Sequence, residues 1–249
     1  MYTTLKIYSI ALLVAVWVVL SLLFSADIVP GPIPVFEAIA DNLRSGDGWF
    51  HLYKTVFRVL LGLLLAMFLG GGLGLVMGLS VKGEKFFESW VMVGLTIPAV
   101  VYAIICLLWF GLNDFAAVIA IGVTAFPAVA INMWQGIKDI DMQLIAMGKA
   151  FQLPTRDLIR KIVLPQTVPY VLAATRYALG ISWKIATTVE LIGMSSGVGY
   201  MLHYWFGLFS MTQVFAWTLT FVIVLLFIEY ALINPFEKRA TAWRAVVQV

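Results

Sequence analysis

Long apolar runs separated by short polar segments dominate the pattern of this chain. The runs are rich in Leu, Ala, Val and Gly and hold few charged residues, and about twenty such residues cross a bilayer as a helix. The pattern predicts six transmembrane helices, at about residues 7–24, 52–79, 89–110, 115–136, 167–192 and 211–234. A transmembrane β-barrel is not indicated, because its strands alternate apolar and polar residues over short segments. The predicted fold class is an all-α integral membrane protein.

The composition supports the same fold class. Of 249 residues, 62% are hydrophobic and 12% are charged, with a mean hydropathy of +0.99. A soluble domain with a polar surface could not sustain these values. Cys106 is the only cysteine and lies in an apolar run, so an intramolecular disulfide and a thiolate metal cluster are both excluded. The first run follows Lys6 and is interpreted as a helix rather than a cleaved signal, since no small-x-small site follows Phe24.

The positions of Lys and Arg predict the orientation in the membrane. With Lys6 placed inside, eleven of the sixteen basic residues are cytoplasmic: Lys6, Lys82, Lys85, Lys138, Lys149, Arg156, Arg160, Lys161, Lys238, Arg239 and Arg244. Both termini and the loop 138–165 are therefore predicted to lie in the cytoplasm. The net charge of +3 reflects this topology rather than a nucleic-acid surface.

Two prolines lie inside predicted membrane helices, Pro98 in LTIPAV and Pro127 in TAFPAV. An interior proline frees a backbone carbonyl and bends the helix, and bent helices often line a cavity. A purely structural kink is the alternative. Helix 2 carries five glycines between Gly70 and Gly78, a pattern that lets neighbouring helix backbones approach closely.

Ionisable residues inside the membrane are costly in lipid and usually face a bundle interior or a water-filled path. Arg176, Trp183 and Glu190 recur every seven residues and share a helix face. Lys184 is turned about 100° from Trp183 and falls near mid-membrane. Structural pairing with a neighbouring helix and contact with a transported solute both remain open for Arg176, Glu190 and Lys184. Glu229 is a further ionisable residue of this kind.

No enzymatic motif is found. The nucleotide-binding pattern GxxxxGK[ST] is absent, and the nearest string, Met147–Ala150, lacks the first Gly and the hydroxyl that binds Mg²⁺. His51 and His203 are far apart in the sequence, and neither HExxH nor GxSxG occurs. The sequence therefore predicts no catalytic residue, no metal site and no cofactor in this chain.

The stretch 145–170, IAMGKAFQLPTRDLIRKIVLPQTVPY, is a basic amphipathic loop of two short helical pieces between apolar segments. A membrane protein usually presents such a loop to a soluble partner. Its spacing resembles the loop of ABC importer permeases, in which an EAA triplet, three residues, a Gly, nine residues, an aliphatic residue, any residue and Leu-Pro contact the ATPase. Aligned on Leu164-Pro165, the triplet falls on residues 146–148 and the Gly position on Gln152.

The resemblance covers nearly the whole chain. TIPAVVYAIICLLWFG at 96–111 is similar to a Pro-rich helix of the family, and FPAVAINMWQGIKDID at 126–141 to its Phe-Pro helix leading to the loop. RYALGISWKIATTVELIGMSSGVGYML at 176–202 is similar to the permeases that import nitrate, taurine, alkanesulfonates, bicarbonate and thiamine precursors. Two positions depart from the family pattern, Ala146 in place of Glu and Gln152 in place of Gly.

The resemblance implies a type I ABC importer permease in a bacterial inner membrane. One transmembrane domain, 1–249, would comprise helix 1, the core helices 52–234 and a coupling loop, 138–165. A homodimer of permeases would work with two cytoplasmic ATPases, which hold ATP and Mg²⁺, and with an external binding protein, by alternating access. The implied ATPase-coupling residues are Ala146, Met147, Gly148, Lys149, Gln152, Leu164 and Pro165, with residues 146–152 as the docking helix. The candidates for the translocation path are Arg176, Trp183, Lys184, Glu190, Pro98 and Pro127.

A second function class stays open at this point, a secondary transporter driven by an ion gradient. Such transporters commonly show inverted repeats and paired broken helices. Helices 1–3 and 4–6 do not resemble each other, and no acidic pair falls at mid-membrane to carry a proton or Na⁺. The basic residues of helix 5 favour a small anionic solute, although Glu190 offsets one of them.

Overall fold

The computed structural model describes residues 2–240, and within them every regular element is helical. The all-α prediction is confirmed. The helices are α1 (Tyr2–Leu23), α2 (Pro32–Arg44), α3 (Asp47–Leu79), α4 (Val81–Thr96), α5 (Ala99–Phe110), α6 (Asp114–Lys138), α7 (Met142–Ala150), α8 (Thr155–Leu158), α9 (Leu164–Gly193), α10 (Val198–Gly207), α11 (Met211–Ile228) and α12 (Asn234–Ala240). One π-helical turn, Ile159–Val163, joins α8 to α9, and another, Glu229–Ile233, joins α11 to α12.

Three helical segments are long and apolar enough to cross a membrane unbroken: α3, α6 and Met211–Ala231. Two more spans are possible as bent pairs, α4 with α5 at 94° and Thr155–Gly193 with α10 at 47°. A shorter apolar helix covers Ile7–Leu23. Length and composition thus give three to five spans in the described chain, and the predicted number of six is not confirmed.

The prediction of one continuous third helix over 89–110 is wrong. The structure has α4 and α5 instead, separated at Ile97 and Pro98 by a bend of 94°. Proline lacks a backbone N–H and its ring forces the preceding residue out of the helical region. Ile97 accordingly has a ψ of 125°, so the helix ends at Thr96. α4 also begins earlier than predicted, because the Ser80 hydroxyl caps its first turn by accepting from the Gly83 N–H at 3.2 Å.

The described chain divides into two compact units. The first comprises Met1–Thr55 and Glu190–Leu226, and the second comprises Val56–Val189 and Phe227–Val249. In the first unit, α2 packs Val35 and Ala38 against Ala216 of α11. The interpretation of residues 1–249 as a single transmembrane domain stays a prediction.

The second unit is built on close contact between α3 and α6. A Cβ added at Gly70, Gly74 or Gly78 would meet side chains or backbone of α6, so the glycine pattern permits this approach. At the start of α6, Asp114 receives two hydrogen bonds from the buried Arg58 guanidinium, from Nε at 2.8 Å and from Nη2 at 2.6 Å. The glycine packing and the ion pair together fix the two helices side by side.

Candidate functional site

The break between α4 and α5 is stabilised by groups on both sides of it. The Tyr102 hydroxyl of α5 donates to the Gly94 carbonyl of α4 at 2.9 Å. Gly94 also lies directly against Pro127 of α6, because a Cβ added there would be 3.0 Å from the Pro127 ring. Of the two predicted prolines, Pro98 thus lies at the break itself and Pro127 packs beside it against Gly94. Pro127 stays inside a continuous α6, and Pro98 ends a helix.

A cavity of about 350 Å³ opens beside this break, and we call it the Lys184 cavity. Its volume is at the lower end of the range for small-molecule sites. Two stretches of chain form most of its wall, the break itself from Gly94 to Ala99 and the α9 face from Tyr177 to Ile185. Its polar lining side chains are Thr96, Thr124, Tyr177 and Lys184.

Lys184 carries the only charge among the side chains that line the cavity. Within residues 2–240, no carboxylate forms an ion pair with its amino group. The Thr96 hydroxyl donates to the Val93 carbonyl at 2.9 Å, and the Thr124 hydroxyl to the Ala120 carbonyl at 2.6 Å. Both hydroxyls are thus hydrogen-bonded within their own helices, and Lys184 is the charged group among the lining side chains.

Arg176 lies outside the residues that line this cavity. Its guanidinium binds Glu229 at 3.0 Å and Glu237 at 2.5 Å, and donates to the Asn234 side chain at 2.6 Å. The charge of Arg176 is therefore balanced by the C-terminal segment. Its part in the translocation path stays a prediction, and the geometry is that of a structural pairing between α9 and α12.

Trp183 and Glu190 face the interior, as the seven-residue spacing predicts, and each is 1% exposed. The Glu190 carboxylate accepts from the Thr55 hydroxyl at 2.8 Å and from the Gly199 N–H at 2.9 Å. The Thr55 oxygen in turn accepts from the Val198 N–H at 2.8 Å. Sequence reasoning missed Thr55, since a lone threonine in an apolar helix carries no signal.

The short connection between α9 and α10 belongs to the same network. Gly197 has a φ of +111°, a conformation that L side chains rarely adopt, and its N–H donates to His51 Nδ1 at 3.1 Å. A Cβ added at Gly197 would collide with the Glu190 carboxylate. The sequence ELIGMSSGVGY therefore contains a break between two helices, and Glu190 stabilises it.

The coupling loop, residues 138–165, forms a platform attached to α9. Asp141 caps α7 by accepting from the Gln143 N–H at 2.7 Å. The Gln166 side chain accepts from the Asp141 N–H at 2.8 Å and donates to the Ile162 carbonyl at 3.0 Å. Leu164 and Pro165 are the first residues of α9, where the sequence places the end of the loop. The loop and the membrane helix are thus mechanically continuous.

Gly148 holds α7 against the segment that leads into α9. It is buried, and a Cβ added there would lie 2.5 Å from Leu158 Cδ2 and 3.0 Å from Ile162 Cδ1. α7 also carries exposed apolar side chains, and another follows its end. They are Met142 (69%), Leu144 (40%) and Met147 (51%) in α7, and Phe151 (74%) just beyond it. Ala146 and Lys149 are also exposed.

The predicted docking helix 146–152 is shifted toward the N-terminus in the structure, where α7 covers Met142–Ala150. α7 ends at Ala150, and Gln152 lies beyond it with a φ of +54°. This is the left-handed conformation, which favours glycine and is strained for other residues. The helix cannot continue through such a residue.

Gln152→Gly is therefore expected to stabilise the protein by about 1 kcal/mol, by removing left-handed strain. A gain of that size corresponds to an unfolding midpoint about 2–4 °C higher, measured by thermal denaturation in detergent. The matched control is Lys149→Gly, an exposed position inside α7, which should lower the midpoint by a similar amount. A fall in the midpoint for both variants would contradict the strain at Gln152.

Nothing in the described residues forms a group of three or more His, Cys, Asp or Glu side chains placed to hold a metal ion. The geometry thus presents two separate features, a cavity lined by one lysine at a helix break and a set of exposed apolar side chains on a polar loop. Pro98 and Lys184 line the same cavity, and Pro127 packs against Gly94, which also lines it. The structure places Arg176 and Glu190 in other networks.

Residues 59–240 match the family described as the inner membrane component of binding-protein-dependent transport systems. The match covers well over half of the chain. The chain belongs to this family. It is a multi-pass inner membrane protein and the transmembrane permease subunit of an ABC importer. Permeases of such importers work with an ATPase and a substrate-binding protein.

Similar proteins place the chain within the family. It is 29% identical over 236 residues to the putative aliphatic sulfonates transport permease SsuC of Bacillus subtilis. The alignment covers 94% of this chain and 85% of that protein. The chain is 30% identical over 198 residues to the nitrate import permease NrtB of Synechococcus elongatus, covering 76% and 71%. The predicted resemblance to nitrate and sulfonate permeases is confirmed.

A solved structure shows the same fold. A chain of the MetNI methionine ABC transporter in an inward-facing conformation superposes with a TM-score of 0.68 and 16% identity, over 77% of this chain and 94% of that one. The predicted type I permease fold is thereby confirmed. At this identity the likeness concerns the fold alone.

Proposed function

We propose that this permease forms the translocation path for a small anionic solute delivered by an external binding protein. The observation that carries the proposal is the Lys184 amino group beside the helix break. Nine residues separate Lys184 from the end of α9, a rise of about 14 Å, which places the charge deep in the membrane. A charge at that depth normally serves transport or pairs with another charge.

The geometry of the break between α4 and α5 also favours an anionic solute. The N-terminus of α5 begins at Ala99, which lines the Lys184 cavity, and helix N-termini carry a partial positive charge. The last turn of α4 also lines the cavity, but its Gly94 carbonyl is occupied by Tyr102. Broken helices that direct an N-terminus at an anionic group are a known device of membrane transporters. The named relatives, permeases for sulfonates and for nitrate, fit the same charge.

The cytoplasmic partner is an ATPase dimer that binds α7. A row of exposed apolar side chains on a short helix in a polar loop is the form that inserts into a hydrophobic groove. ATP and Mg²⁺ are held by that partner, and this chain supplies no nucleotide site. Because the loop is bonded to α9 through Gln166, closing of the ATPases would move α9 as a rigid body. Alternating access follows from that motion.

The permease works as a homodimer in this proposal. Tyr177, Lys184 and Leu191 follow at seven-residue intervals on α9 and are all exposed. A lysine facing lipid near the middle of a helix costs about 3 kcal/mol. A second copy that covers this stripe would enclose Lys184 in a water-filled path. The excess of Lys and Arg predicts that the coupling loop and both termini lie in the cytoplasm; Arg244, one of these residues, lies outside the described part of the chain.

The permease should be co-purified with the ATPase that is encoded beside it and reconstituted in proteoliposomes. ATP hydrolysis is measured with and without the neighbouring binding protein, across a panel of sulfonates, carboxylates and nitrate. Stimulation that requires both the binding protein and one anion would support the proposal and identify the solute. Transport by the chain alone, driven by an ion gradient, would favour the secondary-transporter alternative.

Met147→Asp is expected to reduce the amount of ATPase that co-purifies with the permease, because a carboxylate would have to be desolvated in an apolar groove. The loss should reach about tenfold or more, as for central residues of an interface. It is measured as the ratio of the two subunits after affinity purification through the permease. Met147→Leu keeps the apolar surface and should bind normally, and equal losses for the two variants would argue against this face.

A further inference from the structure

The start of α10 is held by side chains from two other helices. Glu190 of α9 and Thr55 of α3 are 1% and 0% exposed, and they accept from the Gly199 and Val198 N–H groups. The first N–H groups of a helix have no partner within that helix, and a negative charge near them is stabilising. Both roles are filled here by residues buried in the protein, so the orientation of α10 depends on this contact.

The contact lies at the far end of α9 from the coupling loop. α9 runs for 30 residues without a break, a length of about 45 Å, and Glu190 comes three residues before its end. This length is sufficient to reach from one side of a bilayer to the other. With the coupling loop in the cytoplasm, the break at 194–197 and α10 lie on the external side. α9 is thus one continuous helix from Leu164 to Gly193, with Glu190 near its C-terminal end.

α10 also has an exposed surface that Glu190 and Thr55 do not cover. Val198 and Gly199 are buried, whereas His203, Tyr204 and Phe206 are exposed, the last two by 46% and 59%. Aromatic side chains with a polar atom, such as tyrosine, are enriched at protein interfaces. The family is that of binding-protein-dependent transport systems, so a binding protein has to approach the external surface of the permease.

We propose that Glu190 and Thr55 form a latch that sets the angle of α10, and that the substrate-binding protein contacts the exposed face of α10. This inference rests on the proposed function, because it needs an importer served by an external binding protein. In it, Glu190 and Thr55 are positioning residues that touch neither solute nor partner. The latch orients α10 for contact with the binding protein while α9 is in the position that the structure shows.

Thr55→Val tests the latch, because valine has the shape of threonine without the hydroxyl. In proteoliposomes of the permease with its ATPase, the concentration of binding protein that gives half-maximal stimulation of ATP hydrolysis should rise by about tenfold. Hydrolysis without the binding protein should be unchanged. Thr55→Ser keeps the hydroxyl and should titrate like the wild type. A Thr55→Val complex that also titrates like the wild type would overturn the proposal.

Hydrogen exchange separates the latch from the importer function. The Val198 and Gly199 amides should exchange about tenfold faster in Thr55→Val than in Thr55→Ser, since one protecting acceptor is lost. Equal exchange in the two variants overturns the latch even if transport by the wild type is intact. A wild-type complex that no binding protein or anion stimulates overturns the proposed function itself. In that case, faster exchange of the Val198 and Gly199 amides in Thr55→Val would still support the contact of Thr55 and Glu190 with α10.

Tyr204→Ala tests the surface without disturbing the latch. It should raise the half-maximal concentration of binding protein while leaving the exchange of the Val198 and Gly199 amides unchanged. Should Tyr204→Ala titrate normally, the exposed face of α10 is not the contact for the binding protein. If it instead dissociates two permease copies in a mass measurement of the complex, a second copy is the partner of α10, and the proposed contact is overturned.

Discussion

Lys184→Met is expected to abolish uptake while the permease still assembles with its ATPase. Methionine matches the length and apolar character of the lysine stem but carries no charge. Removing one member of a desolvated charge pair costs about 2–5 kcal/mol, which is about 30-fold or more in affinity. The solute would then meet an apolar cavity with no cation, since Arg176 is balanced by Glu229 and Glu237. Uptake of the labelled anion in proteoliposomes measures the loss.

The control for this experiment is Lys184→Arg, which keeps the positive charge in the cavity. It should retain a substantial part of the uptake, although its planar group differs in shape. Co-purification of the ATPase with Lys184→Met shows that the complex still forms. Normal uptake by Lys184→Met would assign Lys184 a structural role and remove the main support for an anionic solute.

Gly148→Leu is expected to uncouple ATP hydrolysis from transport. Gly148 lies against Leu158 and Ile162, and even a single added carbon would approach Leu158 to 2.5 Å. A leucine side chain would force α7 away from the start of α9, at an overpacking cost of about 1–3 kcal/mol. The apolar face of α7 would be displaced relative to the membrane helix. Uptake should fall by about tenfold or more, because a displacement of this kind misaligns the moving parts.

The measurement compares uptake with ATP hydrolysis in the same proteoliposomes. Hydrolysis should continue but no longer respond to the binding protein. Gly71→Leu is the matched control, since a Cβ added at Gly71 on α3 meets nothing within 4 Å. Coupled transport by Gly148→Leu at the wild-type level would show that the packing of α7 does not transmit the motion.

The positions of the membrane helices and of the coupling loop followed from the order of apolar and polar residues. A helix satisfies its backbone hydrogen bonds internally, so a long apolar run is sufficient to predict one in lipid. The spans around α3, α6 and α11 were placed on this basis and are confirmed. The observed ends of these helices differ from the predicted ends by a few residues, because local interactions determine where a helix begins and ends. α3, for example, begins at Asp47 rather than near residue 52.

The candidate site could be predicted only in part. The sequence identified Pro98, Pro127 and Lys184 as separate features, because each is unusual for its place in a membrane helix. That Pro98 and Lys184 line one cavity, with Pro127 packed against its Gly94, depends on the packing of separate helices. Arg176 and Glu190 were predicted on one face, yet their partners come from distant segments, Glu229 and Glu237 for the first and Thr55 for the second. Spacing along one helix does not reveal what lies across from it.

By itself, the sequence determined that the chain is helical, that it lies in a membrane, and that it belongs with importer permeases, because these depend on local hydropathy and on motif spacing. Tertiary structure alone decided that Pro98 breaks a helix by 94° rather than bending it, and that Gln152 adopts the left-handed conformation. A proline is compatible with either a bend or a break. The break is stabilised by the Tyr102 hydroxyl, which donates to the Gly94 carbonyl, and by Pro127, which packs against Gly94. Long-range contacts of this kind leave no pattern in the sequence around the residues they control.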